Sequence, residues 1–377
     1  MIVNGKTTKC MVFGKIKDVE LVYNGAHIEI VDAYKYLGNM FNTVSRVDSD
    51  IFRENTEYLI SQARKAIFSI KQKLHNIGDA PPQIKLHLFQ SMVQPILLYG
   101  SDIWGQNHKT THSLDKVLLE YLRGILKVKK TTSSYITIGE FGIIPPSILA
   151  EINVILFCIR VQSMSDDKIV KKVFLILKTL HTCGFQTWYS KVCELAQKYD
   201  INLETLRHCE DTKQLVKKQI KSAYVDQWYL EIANTDKNPI LSFYKKIKEN
   251  FNIEAFLKLP IKEKYRNAIS KIRASSHILA IERGRYTTPK TPRLERKCAF
   301  CGVVEDEIHF ILTCALYKDE RDIFFRRITE KYSFFVRLNE NDKITYLFKS
   351  NDPQILSWLG RFINSCFTKR SAIVPCA

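Results

Sequence analysis

The sequence predicts a mostly α-helical protein with a small antiparallel β segment at its N-terminus. It is an α+β chain that closes on a basic module stapled by a metal. Three observations predict this. Strand-like residues around a hairpin signal are confined to the start of the chain, and apolar residues at helical spacing dominate the remainder. Four metal-ligand side chains then fall between Cys298 and Cys314.

Residues 9–13 and 19–23 are rich in Val, Met and aromatics. Asn24-Gly25 is a two-residue hairpin signal, with 26–31 returning as the partner strand. A short extended piece, 34–38, completes the β segment. Asp48 and Asp50 offer caps for a long helix whose apolar face is Leu59, Ala63, Ile67, Ile70 and Leu74. Pro81-Pro82 ends that helix. A second runs through Ile84, Leu88, Met92, Val93 and Ile96, and Pro95 is expected to kink or stop it. Helical patterns then cover 114–126, 147–161, 169–179, 188–199, 212–233, 238–251, 319–332 and 354–367. The expected organisation is five consecutive segments: 1–45, 46–135, 136–255, 256–320 with the metal unit, and a helical tail 321–377.

Apolar residues make up 45% of the 377 and charged residues 25%, an ordinary globular balance. The sign of the charge is not ordinary. Lys and Arg number 57 against 39 Asp and Glu, a net +18, which points to a polyanion: nucleic acid first, an anionic membrane second. No signal-peptide pattern opens the sequence. The longest apolar run, 147–161, is broken by Glu151, Asn153 and Arg160 and is not expected to span a bilayer. Seven of the ten cysteines are scattered, which fits a reducing compartment and an intracellular, nuclear or cytoplasmic location without membrane attachment. Between 258 and 297, twelve Lys and Arg face three Glu, a net +9 and half of the total. The residues expected to meet nucleic acid are Lys262, Lys264, Arg266, Lys271, Arg273, Arg283, Arg285, Lys290, Arg293, Arg296 and Lys297.

Directly behind that stretch, Cys298, Cys301, His309 and Cys314 stand at C-x2-C-x7-H-x4-C spacing. Two residues between the first cysteines let one turn aim both thiolates at one ion. Gly302 supplies the sharp backbone swing after them. Four N/S ligands satisfy Zn²⁺ completely, so the expected site is structural and closed to a reacting water. Glu305 and Asp306 open a short helix with Ile308, Ile311 and Leu312 as its apolar face. His309 and Cys314 lie five apart, a poor match to one α-helical face, so the helix is expected to unwind near Thr313. Arg296 and Lys297 are expected to offset the net −1 of three thiolates with zinc.

Elsewhere the sequence is less informative. His108 and His112 lack a carboxylate partner and read as solvated or loop residues. His181, Cys183 and Cys193 are too loosely spaced for a second metal unit, and Trp188, Tyr189, Trp228 and Tyr229 read as core at helical spacing. Around Gly284, the flanking Arg283 and Arg285 fit either a phosphate clamp or a solvated helix end.

Several blocks, in order, resemble the C-terminal half of the reverse transcriptases of LINE-type non-LTR retrotransposons. Asn4 to Phe13 is similar to the "N-x-x-K-T-K-x-x-V-F" strand, with Thr7 in place of the first lysine. Tyr34-Lys35-Tyr36-Leu37-Gly38 resembles the block that ends the palm. Pro95 to Trp104 resembles the thumb block "P-x-L-x-Y-G-x-x-x-W", and Gly139-Glu140-Phe141-Gly142 with Pro145 resembles the later "G-E-L-G-x-x-P" turn. His277 to Arg321 is similar to the zinc-binding tail almost throughout. The resemblance implies a palm edge, a helical thumb and connector, and a tail that binds template RNA or target DNA.

It also implies what is missing. The family polymerises through Tyr-x-Asp-Asp and an upstream aspartate that hold two metal ions. Here the one Asp pair is Asp166-Asp167, where Ser165 or Asp166 is expected to cap the helix beginning near Ile169. The expectation is therefore a non-catalytic portion of a reverse transcriptase, with a separate catalytic part of the same element as a candidate partner. The alternative is a host-recruited zinc module that binds nucleic acid or protein without polymerase function.

Overall fold

The computed structural model describes residues 8–13, 20–43, 52–78 and 80–373. The first residues of the Asn4–Phe13 block and the expected caps Asp48 and Asp50 lie outside them. As expected, the chain is mostly helical with a few short strands at its start: β1 (Lys9–Cys10), β2 (Val22–Tyr23), β3 (Ala26–His27), β4 (Glu29–Ile30), β5 (Ala33–Tyr36) and β6 (Asn39–Asn42). β2 and β3 form the expected hairpin, with Asn24 (φ 50°) and Gly25 (φ 75°) in its turn. β5 and β6 form a second hairpin about Leu37 and Gly38, also at positive φ. β1 departs from the antiparallel pattern by pairing parallel to β4, which the long connection between them permits.

The helices run in chain order: α1 (Arg53–Ile77), α2 (Pro82–Leu88), α3 (Gln94–Leu97), α4 (Ser101–Trp104), α5 (His108–Leu126), α6 (Ser134–Phe141), α7 (Pro146–Gln162) and α8 (Ile169–Thr182). They continue with α9 (Trp188–Lys198), α10 (Glu210–Ala233), α11 (Leu241–Ile247), α12 (Ala255–Lys258), α13 (Glu263–Arg273), α14 (Ala280–Arg283), α15 (Lys318–Lys331), α16 (Glu340–Lys349) and α17 (Pro353–Ile373). The kink expected at Pro95 is a π-helical turn over Phe89–Val93 between α2 and α3. No single described helix is long and apolar enough to cross a membrane.

By its contacts the chain divides into two units whose segments interleave along the sequence: 1–73, 88–118 and 144–224, and 74–87, 119–143 and 225–377. Changes of unit fall inside α1, α2, α5 and α10 and in the loop between α6 and α7. Breaker residues mark the ends of elements, so they could not reveal the changes that fall inside helices.

In the first unit α7 packs on α4, α8 and α9. Its core joins Ile152, Ile155, Cys158 and Ile159 to Val192, Leu195, Val216 and Ile220. The polar residues that interrupt α7 have partners. Glu151 is buried and accepts from Lys198 Nζ at 3.1 Å and from the Tyr199 hydroxyl, and Asn153 donates to Ser101 at 2.9 Å. Tyr99 Oη donates to the Leu37 carbonyl at 2.6 Å and lies against Gly38, where a Cβ would meet its ring at 2.9 Å.

In the second unit Trp228, Ile136, Leu241, Tyr244 and Ala274 form one core, and α13 lies along α17. The Gly139-Glu140-Phe141-Gly142 block is built into this unit at every position. A Cβ on Gly139 would strike the Trp228 ring at 2.4 Å, and one on Gly142 would strike the Asn252 backbone at 2.4 Å. Phe141 bridges to Ile253. Glu140 receives Arg273 in a two-pronged ion pair at 2.8 Å for each bond.

Candidate metal centre and basic surface

Cys298 and Cys301 sit on a turn held by backbone bonds. Cys298 N–H donates to Val303 O at 2.7 Å and Gly302 N–H to Cys298 O at 2.9 Å, while Lys297 and Val304 bridge antiparallel beneath. Gly302 has φ 70°, the swing expected from its place in the sequence. The thiols of Cys298 and Cys301 lie 3.8 and 3.9 Å from Cys314 Sγ. Disulfide sulfurs are about 2 Å apart. Sulfurs at two corners of a tetrahedron around zinc, each about 2.3 Å from the ion, are about 3.8 Å apart. With His309, the ligand atoms all lie within 4.8 Å of one another, so the four residues can hold a metal ion. Among the described residues every cysteine is unbridged.

The return ligands refine one expectation. The helix ends at Thr313 as expected, with Cys314 in a non-helical conformation (φ −58°, ψ 124°). Before it ends it widens into a π turn over His309–Thr313, and Cys314 N–H donates to His309 O at 2.8 Å. A hydrogen bond that spans five residues sets residues five apart one above the other, as this spacing requires. Asp306 starts the helix, its Oδ1 accepting from His309 N–H at 2.8 Å. Phe310 is fully buried and stacked on Phe367 at 5.3 Å. Ile311 is buried as expected, whereas Ile308 and Leu312 are only half-buried.

Which His309 nitrogen faces the thiols is settled by its partners. Nδ1 lies 3.0 Å from Thr313 Oγ1, and that hydroxyl donates back to His309 O at 3.4 Å. With its proton on that carbonyl, Thr313 Oγ1 is free to accept from Nδ1–H, the tautomer that leaves the lone pair on Nε2. Nε2 is buried without a hydrogen-bond partner, the condition of a ligand atom whose partner is a metal. Ala315 N–H donates to Cys301 Sγ at 3.3 Å. Burial, and then the neighbouring thiols, push Cys314 up to about 12, so metal binding must displace its proton.

The run Glu305-Asp306-Glu307 ties this unit to its surroundings. Glu305 is buried, pairs with both arms of Arg370, and accepts from Ala280 N–H at 2.6 Å. Glu307 accepts from Ser275 Oγ at 3.2 Å and pairs with His277 Nε2 at 3.0 Å. Burial would raise the Glu307 carboxyl, but these bonds and the His277 charge bring it below its ordinary value.

The basic residues divide by burial. Lys262, Lys264, Lys271, Arg283, Lys290, Arg293 and Lys297 are exposed. Arg285 is half-buried and held by Glu282 at 3.1 Å. Three expected contacts are corrected. Arg273 is fully buried between Glu140 and Glu254 and also donates to Phe348 O at 3.1 Å. Arg266 is buried and donates to Ile261 O at 2.6 Å. Arg296 bonds the carbonyls of Thr291 at 2.9 Å and Ile281 at 2.8 Å, lying across Gly284 where a Cβ would meet it at 2.7 Å. Its guanidinium is therefore occupied away from the thiols. The cation whose charge reaches His309 is Arg321, which adds to burial in lowering that imidazole's proton affinity.

Asp166 and Asp167 are exposed on the turn before α8. Lys168 stands at the N-cap of α8 without a capping side-chain bond, and Ser165 bonds Asp167 instead of capping, a further correction. His108 and His112 belong to α5, where His112 is exposed as the solvated reading expects, and His181 bonds Ser190 at 2.9 Å. Trp228 and Tyr189 are core as expected, while Trp188 and Tyr229 are half-buried. Comparison with protein-family models, with curated proteins and with solved structures finds no match for this chain.

Proposed function

We propose that this chain is a non-catalytic, nucleic-acid-binding portion of a reverse-transcriptase-type protein, and that Cys298, Cys301, His309 and Cys314 hold one structural Zn²⁺. The observation that carries the reading is a four-ligand, tetrahedrally spaced cluster directly joined to a run of exposed cations. Lys297 precedes the first ligand, and Arg283, Lys290 and Arg293 lie just upstream. Tyr286 is exposed with Lys129 Nζ 5.4 Å from its ring centre, an aromatic–cation pair suited to a stacked base beside a phosphate. The polymerase family enters through the sequence blocks alone. The Gly139–Gly142, Tyr34–Gly38 and Glu305–Glu307 positions all have a structural purpose here, which supports reading them as parts of a fold and not as chance matches.

The test is the salt dependence of RNA and DNA binding by the full chain. Each phosphate contact lowers the logarithm of affinity against log salt by about 0.7 on single strands and about 0.9 on duplex. Replacing Arg283, Lys290, Arg293 and Lys297 together by alanine should flatten that slope by up to about 2.8 units on single strands and weaken all sequences alike. A parent that binds with no salt dependence, or a variant that matches it, would move the reading to a recruited protein-binding module.

A further inference from the structure

We infer that the groove between α13 and the C-terminal half of α17 is a second phosphate-binding site, one that extends the nucleic-acid surface beyond the basic segment. For its nucleic-acid ligand the site rests on the proposed function. The groove is a cavity of about 510 Å³ to which Lys264, Arg361 and Lys369 bring positive charge. Asn364, Ser365 and Thr368 add an amide and two hydroxyls on one face of α17, at the three- and four-residue spacing that aligns side chains along a helix. Among the described residues no carboxylate lines it. Glu320 holds Lys369 from outside at 3.0 Å, while Lys264 and Arg361 have no ion-pair partner among the described residues.

Packing makes the groove possible. Gly360 sits against the Tyr265 backbone, where a Cβ would meet its carbonyl oxygen at 2.7 Å, so the absence of a side chain lets α13 and α17 close. That approach sets Lys264 and Tyr265 opposite Arg361 and Asn364. Lys264 Nζ lies 5.2 Å from the Tyr265 ring centre, a cation beside an aromatic wall. Lys264 and Tyr265 belong to the first turn of α13, whose N-cap Lys262 makes no capping side-chain bond. Glu263 in the same turn offsets part of the helix dipole, so the positive field at the groove rests on Lys264, Arg361 and Lys369. Two unpaired cations, one of them a forked guanidinium, with hydroxyl and amide groups around them suit a phosphate. Apart from the Tyr265 ring the lining residues are polar or charged, which suits a backbone or terminal phosphate better than a base.

The experiment uses the full chain with Lys264→Ala and Arg361→Ala combined. Both side chains are exposed, and retained zinc content checks the fold. Binding of a fluorescein-labelled single-stranded RNA 20-mer is followed against KCl concentration. The double variant should lower the log–log slope by about 1.4, two contacts' worth on a single strand. A slope equal to the parent's overturns the groove and leaves the proposed function standing. Should the parent itself bind no RNA, the proposed function fails, and calorimetry with inorganic pyrophosphate decides the groove. Binding by the parent that is lost in the variant supports a small-phosphate site, and absence of binding by the parent overturns it.

Discussion

Among single residues, Thr313 and Arg273 show how neighbours decide what a side chain does. Thr313 supports the His309 tautomer by accepting from Nδ1–H, so Thr313→Val should lower metal affinity about 10- to 100-fold while Thr313→Ser retains it. Competition with a chromogenic chelator reads this directly, and equal affinity in the valine variant would remove Thr313 from the orienting role. Arg273 is one more cation in a basic stretch by sequence, yet it neutralises Glu140 and Glu254 inside the core. Lys248 pairs with Glu254 at 2.5 Å and feels the Glu140 charge, but its bonds go to Glu254 and the Asn252 carbonyl and not to Glu140. Arg273→Ala should therefore cost about 3–5 kcal/mol in urea unfolding, because buried carboxylates lose their partner. Lys297→Ala should stay within about 0.5 kcal/mol of the parent. A destabilised Lys297 variant beside an unaffected Arg273 variant would invert this assignment.

Among the elements, the turn from His309 to Cys314 is the informative one. A five-residue separation is incompatible with a regular α-helical face, and the chain meets it by widening as far as Thr313 and leaving the helix at Cys314. Widening keeps the backbone paired through the Cys314 N–H and holds Phe310 under Phe367 while both ligands reach the thiols. Deleting Leu312 would draw Cys314 and the fully buried Tyr317 back by one residue, turning them by about 100° on a helix of 3.6 residues per turn. The expected result is a metal content well below one ion per chain by elemental analysis. A deletion variant that still binds one ion as tightly as the parent would show that the π turn is not needed. The α13–α17 packing is a second case, since Gly360 matters only because another helix's backbone lies against it.

For the molecule as a whole, the metal should act on stability and the acidic residues should not act on chemistry. Structural zinc contributes binding free energies of roughly 10–16 kcal/mol in small zinc units. Removing it with a strong chelator should lower the melting temperature and expose the 284–330 region to protease, with both effects reversed by added Zn²⁺. An unchanged melting curve after complete removal would make the site dispensable for the fold. Primer extension on a homopolymer template with Mg²⁺ or Mn²⁺ should give background only, because this sequence has no Tyr-x-Asp-Asp and its one Asp pair is exposed on a turn. Extension abolished by Asp166→Asn with Asp167→Asn would overturn that reading.

Features governed by neighbours a few residues away were legible in the order of the amino acids. The Asn24-Gly25 hairpin, the break at Pro81-Pro82, the long apolar course of α7 and the four clustered Cys and His side chains all belong here, because turn chemistry, helix periodicity and ligand spacing are local. Even Gly302 announced its positive φ by its place directly after C-x-x-C. Which cations face solvent became visible only in three dimensions, since Arg266 and Arg273 share the composition of Lys264 and Lys271 and differ in what packs above them. The same holds for the interleaved units, the π turn, the anchoring role of Phe310 and the groove beside Gly360. Each of these depends on groups far apart in the chain, or on the packing around them, meeting at a few ångströms, and neither periodicity nor charge count encodes that meeting.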